Sequence, residues 1–218
     1  MTGPVVFADR REAGRRLGLL ARERLAPPPH ALALGLVRGG AVTACHLASA
    51  AGLQWDILIV RKIGAPHQPE YAAGAYAEGG AYFLNDEAVQ YLNLSQAWIN
   101  RAVQRAAEEC RELQRELRGS EDAPDLRGRD IILTDDGMAT GLTMHAAIET
   151  SRRAGAASVS VAIPVLARDA LLMLEDARVP HCYISCPPSF HAVGQFYVDF
   201  SPVTSDEVRE LLDSRGGS

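Results

Sequence analysis

Ile131-Ile-Leu-Thr-Asp-Asp-Gly-Met-Ala-Thr-Gly-Leu-Thr143 places a short apolar run, two adjacent acids and a Gly/Thr turn ahead of a second apolar-periodic segment. The run at 130–134 predicts a buried strand, and residues 142–154 predict a helix. A junction of this kind suits a sugar phosphate. The first N–H groups of a helix point outward unpaired, glycine lets a ligand approach the main chain, and threonine hydroxyls add donors. Residues 139–143 can therefore hold a phosphate monoester. Asp135 and Asp136, just before that loop, can accept hydrogen bonds from a sugar diol or stand near a magnesium ion. Taken alone, the run also reads as a strand-end cap followed by a Thr-Gly turn, and both readings stay open.

Working outward, Asp9 and Glu12 open a first helix in which Ala13, Leu17, Leu20, Ala21 and Leu25 recur at helical spacing up to Pro27. The apolar run 31–37 stops at Arg38-Gly-Gly40, residues 41–51 predict a helix closed by Gly52, and 55–60 predict a second strand. Together these make a βαβ unit with parallel pairing. Residues 64–80, rich in Gly, Ala and Pro, predict a long mobile loop or ribbon, longer than the usual ~4–6 residues. From Ser95 to Gly119, Ile99, Ala102, Val103, Ala106, Cys110, Leu113 and Leu117 form one apolar stripe on a long amphipathic helix. After a polar linker, strands at 158–165 and 181–186 enclose a helix at 168–177. A short strand at 196–200 and a helix opened by Thr204-Ser-Asp-Glu207 follow. Such alternation predicts an open parallel sheet covered on both faces, with ligands bound beyond the carboxyl ends of its strands.

A chain of 218 residues with 47% hydrophobic content supports one compact domain, residues 1–218. With 27 acids against 22 bases and no basic stripe, nucleic acid is not an expected partner. The start lacks a basic leader with a following apolar stretch, and no run approaches the ~20 residues of a membrane span, so the expectation is a cytoplasmic protein without membrane contact. Cys45, Cys110, Cys182 and Cys186 form no CxxC pair and read as reduced, mostly buried thiols. His46, His145, His181 and His191 form no HxxxH or HExxH pair, and His30 and His67 lie beside prolines, which argues against imidazole metal ligation. The chain has no GxxxxGK[ST], no GxGxxG after a strand and no GxSxG, which removes P-loop, dinucleotide-binding and nucleophile-elbow chemistry.

The order of hydrophobic strand, two acids, two variable residues, small residue, Thr, Gly, variable residue and Thr resembles the phosphoribosyl pyrophosphate signature of the type I phosphoribosyltransferases. Thr134 stands where that family often has an aliphatic residue, and Leu142 where a second glycine is usual. Gly35-Leu-Val-Arg-Gly-Gly40 is similar to the family's pyrophosphate loop, with Val37 where proline is common. The resemblance implies a Rossmann-like α/β sheet, a small C-terminal hood over residues 187–218 and a helical insertion over 85–120. It implies that Ala139, Thr140, Gly141, Leu142 and Thr143 hold a 5′-phosphate and that Asp135 and Asp136 orient the ribose. Val37, Arg38, Gly39, Gly40 and Lys62 would then hold pyrophosphate, with residues 64–80 at the position of the flexible catalytic loop. Arginine suits a phosphate because its planar fork donates two bonds.

The segment 188–199 is similar to the hood of hypoxanthine-guanine type enzymes, which would bring Phe190 or Val193 against a base and Asp199 near its edge. An aromatic edge strand packing on the sheet is the competing reading of that segment. The implied reaction is Mg²⁺-dependent transfer of ribose 5-phosphate from phosphoribosyl pyrophosphate to a nitrogenous acceptor, a purine base among the candidates. A sensor that keeps the pocket without turnover and an enzyme acting on a finished nucleotide are the alternatives, because a fold does not determine chemistry. A homo-oligomer is compatible with the sequence, which does not specify one.

Overall fold

The computed structural model describes residues 5–66 and 68–216. In chain order the elements are α1 (Arg10–Arg24), β1 (Leu32–Leu36), α2 (Gly39–Ala51), β2 (Gln54–Leu58), β3 (Val60–Ala65), β4 (Gln68–Ala77) and β5 (Tyr82–Leu84). Then come α3 (Asp86–Tyr91), α4 (Gln96–Arg118), β6 (Asp130–Thr134), α5 (Leu142–Arg153), β7 (Ser158–Val165), α6 (Arg168–Asp176), β8 (His181–Ser185) and α7 (Ser205–Asp213). Five strands form a parallel sheet in the order β2-β1-β6-β7-β8, and β3, β4 and β5 form a separate antiparallel sheet.

Alternation along the parallel strands sends side chains to two apolar layers. Leu34, Ile131, Leu133, Val161 and Ile163 pack with Ala147, Ile148, Leu171 and Leu174 of α5 and α6. On the other face Ala33, Ile132 and Ala162 meet Leu17, Ala21 and Leu47 of α1 and α2. Full burial of each large aliphatic side chain stabilises the fold by about 1.5–3 kcal/mol. At the β2 edge, Ile57 and Ile59 pack with Cys110, Leu113 and Leu117 of α4 and with Val208 and Leu212 of α7. Helix ends follow the expected chemistry: Asp9 accepts from the Glu12 amide, Ser95 from that of Trp98, and Thr204 and Glu207 close a reciprocal capping box.

Two expectations are corrected. The apolar run 55–60 is not one strand: β2 ends at Leu58 and β3 begins at Val60 in the other sheet. The buried Glu78 carboxylate accepts from the Ile59 amide at 2.9 Å, giving that amide its partner at the bend between the sheets. Of the two readings of the segment after Ile63, loop or ribbon, the ribbon is the one formed: β4 pairs with both β3 and β5, and its small residues Ala73 and Ala75 are buried. His67, one of the imidazoles weighed for a metal, and the leader residues 1–4 lie outside the described residues. The strand expected at 196–200 is instead a 3₁₀ turn at Val193–Phe196 followed by one parallel bridge from Phe7 to Tyr197. There the Phe7 amide donates to Phe196, and Val198 and Asp199 donate back to Phe7 and Ala8, so the two ends of the described chain hold each other. No helix among the described residues is long and apolar enough to cross a membrane.

Candidate functional site

Strands β1 and β6 are neighbours, with Gly35 opposite Thr134, so the loops leaving their carboxyl ends emerge side by side. A Cβ on Gly39 would stand 2.0 Å from Asp136 Oδ2, and one on Gly40 would stand 3.1 Å from Asp135 Oδ1. Glycine at these two positions is what allows the loop 37–40 to lie against the acid pair. The sequence resemblance named two separate segments, and the sheet joins them into one site.

The two acids are held differently. Asp135 Oδ1 accepts from the Asp136 amide at 2.8 Å. Burial, then the neighbouring Asp136 charge, pushes the Asp135 carboxyl well above the usual carboxylate range, against the opposing pull of the Asp136 and Gly40 amides and Arg10. Asp136 Oδ2 accepts from Arg10 Nε at 2.7 Å in a mostly buried ion pair. Burial raises its pKa too, and Arg10 opposes that rise. Tyr197 Oη donates to the Asp136 carbonyl at 2.5 Å. Burial drives the Tyr197 phenol upward, so it stays protonated and able to donate.

Beyond the acids, Met138 is pinned to β7, its amide donating to Val165 and its carbonyl accepting from Ala167. The chain then rises to exposed Ala139 and Thr140, turns through Gly141 at φ +75°, and enters α5 with Leu142 exposed and Thr143 half-buried. The left-handed turn falls on a glycine, which adopts it without steric cost. Among the described residues, the main-chain N–H groups of 139–143 have no hydrogen-bond partner. The turn geometry is therefore complete with Leu142 in place of a second glycine.

The remaining expected residues are spread around this centre. Val37 is half-buried and its peptide bond to Arg38 is cis. Arg38 is exposed and reaches Glu116 of α4 at 3.3 Å. Lys62 lines a cleft of about 450 Å³ with Phe83, Leu142, His145 and Glu149, on the α5 side of the site. Val193 stands over the acid loop, with Cγ1 2.4 Å from where a Cβ on Gly137 would be. Phe190 packs on Phe196 with ring centroids 5.1 Å apart. Asp199 is exposed, and its Oδ1 accepts from the Ser201 amide and hydroxyl at 2.9 and 2.6 Å, bonds that hold its carboxyl below the usual range. It lines a different cleft, with Arg10 and Arg11.

A family model described as phosphoribosyl transferase domain matches residues 32–201. The chain belongs to this family. A Mycobacterium tuberculosis H37Rv protein described as a "Putative phosphoribosyl transferase" is 35% identical over 210 residues, covering 95% of this chain and 46% of that protein. The chain thus spans about half the length of the curated relatives it matches. The crystal structure of a Thermus thermophilus protein superposes with TM-score 0.85 at 38% identity, over 95% of this chain and 98% of that one. A Neisseria gonorrhoeae hypothetical protein solved with bound ppGpp shares the fold, with TM-score 0.52 at 11% identity over 98% of each chain.

Two members of the site were not legible in sequence. Arg10 lies outside the family-matched span, in a run of arginines at the start of α1, and carries no periodic or motif signal. Tyr197 read as an aromatic packing residue, and only the tertiary fold brings its hydroxyl to the acid loop.

Proposed function

We propose that the chain transfers ribose 5-phosphate from phosphoribosyl pyrophosphate to a nitrogenous acceptor, with release of pyrophosphate. The observation that carries this reading is the meeting of the loops 37–40 and 135–143 at adjacent parallel strand ends, with Gly39 against the Asp136 carboxylate. One loop offers unpaired amides at a helix start to a monoester phosphate. The acid pair faces the diol, and the Val37–Gly40 loop with Arg38 and Lys62 takes the pyrophosphate. The bond from ribose C1 to the pyrophosphate oxygen breaks, a bond from C1 to the acceptor nitrogen forms, and the proton on that nitrogen is lost to solvent. No protein nucleophile is needed, so catalysis rests on positioning and on preorganised donors.

The donor set fits Mg²⁺. Among the described residues no three His, Cys, Asp or Glu side chains gather, and a pair of carboxylates completed by substrate oxygens is how this ion is commonly held. Asp135 and Asp136, adjacent just after the end of β6, would hold it, and the bound ion would neutralise charge on the leaving pyrophosphate. Val193 and Phe190 would flank a flat acceptor, a purine base being the leading candidate. Asp199 is the less favoured edge reader, since its carboxylate already accepts two bonds from Ser201.

The test is calorimetric titration with phosphoribosyl pyrophosphate and Mg²⁺, followed by pyrophosphate release with hypoxanthine, guanine, xanthine and adenine. Binding and release with at least one base is the expected result. Binding without release from any acceptor would instead make the protein a sensor, and no binding would end the reading.

A further inference from the structure

We infer that Arg10, from the helix preceding the family-matched span, is a positioning residue of the phosphoribosyl site that holds the Asp136 carboxylate against Gly39 and ties the C-terminal segment to the acid pair. The inference rests on the proposed function and extends it to a residue that neither the sequence motif nor the family match includes.

Arg10 is the first residue of α1, and Asp9 caps that helix by accepting from the Glu12 amide. The Arg10 side chain is turned away from solvent, and the residue is only 9% exposed. Nε donates to Asp136 Oδ2 at 2.7 Å, and Nη1 donates to the Ser201 carbonyl at 2.8 Å. The guanidinium carbon lies 3.9 Å from the centroid of the Phe200 ring. A Cβ on Gly39 would come within 3.2 Å of Nε, so the same group also borders the loop 37–40. One planar side chain on α1 thus meets three segments that sequence separates: the loop 37–40, the acid loop and the chain after Tyr197.

The chemistry singles out arginine. A fork with donors in a fixed plane serves a carboxylate and a carbonyl at once while its face rests on a ring, and a lysine ammonium supplies the charge without that geometry. Arg38, the cation expected from the motif, is exposed and engaged with Glu116, whereas Arg10 is a buried cation in contact with Asp136. Asp136 is thereby oriented before a ligand arrives. Asp135 is left as the acid without a cation of its own, which divides the pair into one held and one open carboxylate. Groups that orient a binding carboxylate typically carry about a 10–100-fold effect on affinity or activity when removed.

Arg10→Gln, Arg10→Met and Arg10→Lys are compared with wild type by calorimetry with phosphoribosyl pyrophosphate and Mg²⁺, and by urea denaturation of each protein. Met keeps an apolar stem on Phe200 and guards against simple loss of folding, and Lys keeps the charge. The expected result is affinity lower by about 10–100-fold in Gln and Met, with Lys recovering part of it. In turnover the loss falls on KM for phosphoribosyl pyrophosphate more than on kcat. Folded Gln and Met variants that bind as wild type does would overturn the role. So would a loss shared equally by Lys and Gln that tracks only their urea midpoints. Wild-type protein that binds no phosphoribosyl pyrophosphate would overturn the proposed function itself, a result distinct from normal binding in both wild type and variants.

Discussion

At the ends of β1 and β6 two carboxylates, Asp135 and Asp136, share one buried guanidinium, Arg10. Where β2 bends into β3, two carboxylates, Asp56 and Glu78, meet two guanidinium groups, Arg118 and Arg215. Arg118 donates to Asp56 at 2.6 Å, to the Ile57 carbonyl at 2.9 Å and to Glu78 at 3.3 Å, and Arg215 closes on the other Asp56 oxygen at 2.6 Å. Both clusters raise a carboxyl by burial, Glu78 in one and Asp135 in the other. Their balance differs. Counted with every group ionised, the bend is neutral and knits β2, β4, α4 and the chain after α7 together, whereas the strand-end cluster carries one negative charge in excess. A matched set is closed to further partners, and an excess buried carboxylate is the arrangement that ligand hydroxyls and a cation relieve.

The largest expected effect breaks the matched cluster. Arg118→Met leaves the buried Glu78 without its cation and should cost about 3–5 kcal/mol in urea unfolding at pH 7. The sign of its pH dependence follows from the raised Glu78 carboxyl, which the loss of Arg118 raises further. A group with a raised folded pKa destabilises as pH climbs from its unfolded value through its folded one, so the deficit should shrink between pH 7 and pH 5. An equal deficit at both pH values would count against Glu78 as its source.

Next comes Gly39→Ala, which drives a methyl onto the Asp136 oxygen that Arg10 holds in place. A loss of about 1–3 kcal/mol is expected, accompanied by weaker phosphoribosyl pyrophosphate binding in calorimetry. A variant with wild-type stability and affinity would mean that the two loops are not in the close contact described.

Asp135→Asn tests the unbalanced cluster in the opposite direction. Asparagine keeps an oxygen for the Asp136 amide and cannot ionise, so the folded state should gain stability at pH 7, read as a higher Tm. Linkage gives the same sign: wild-type stability contributed by this acid falls as pH rises from its unfolded value toward its raised folded one, and the variant lacks that fall. Ligand affinity should drop while Tm rises. A variant that is both less stable and fully competent to bind would reverse the assignment of the open acid.

Asp199→Ala should be the smallest change, leaving the urea midpoint near that of wild type, because the carboxylate is exposed and, among the described residues, accepts hydrogen bonds only from Ser201. Phosphoribosyl pyrophosphate affinity should stay as in wild type, and a shift in acceptor preference would restore Asp199 as an edge reader.

Legibility tracked the range of the interactions. The strands β1, β6 and β7 and the helices α2, α4 and α5 were readable to within a residue or two, because each is written in local periodicity and closed by a local signal such as Gly52 or Gly119. The ribbon β3–β5 was readable only as one of two alternatives, loop or ribbon, because its Ala and Gly residues carry weak strand preference. The strand expected at 196–200 had the opposite fault: its aromatic residues suggested strand, yet Phe196 and Tyr197 are drawn into a cluster with Phe7 and Val165.

The sequence by itself determined that two acids, a glycine turn and a helix start follow the end of a buried strand, since these signals are adjacent along the chain. Only the tertiary structure decided that the Val37–Gly40 loop lies against those acids, that Ile59 divides an apolar run between two sheets, and that Arg10 completes the site from 126 residues away. A contact between distant segments leaves no period in either one. It exists because the sheet order places β1 beside β6 and the paired chain ends carry α1 back over their carboxyl ends.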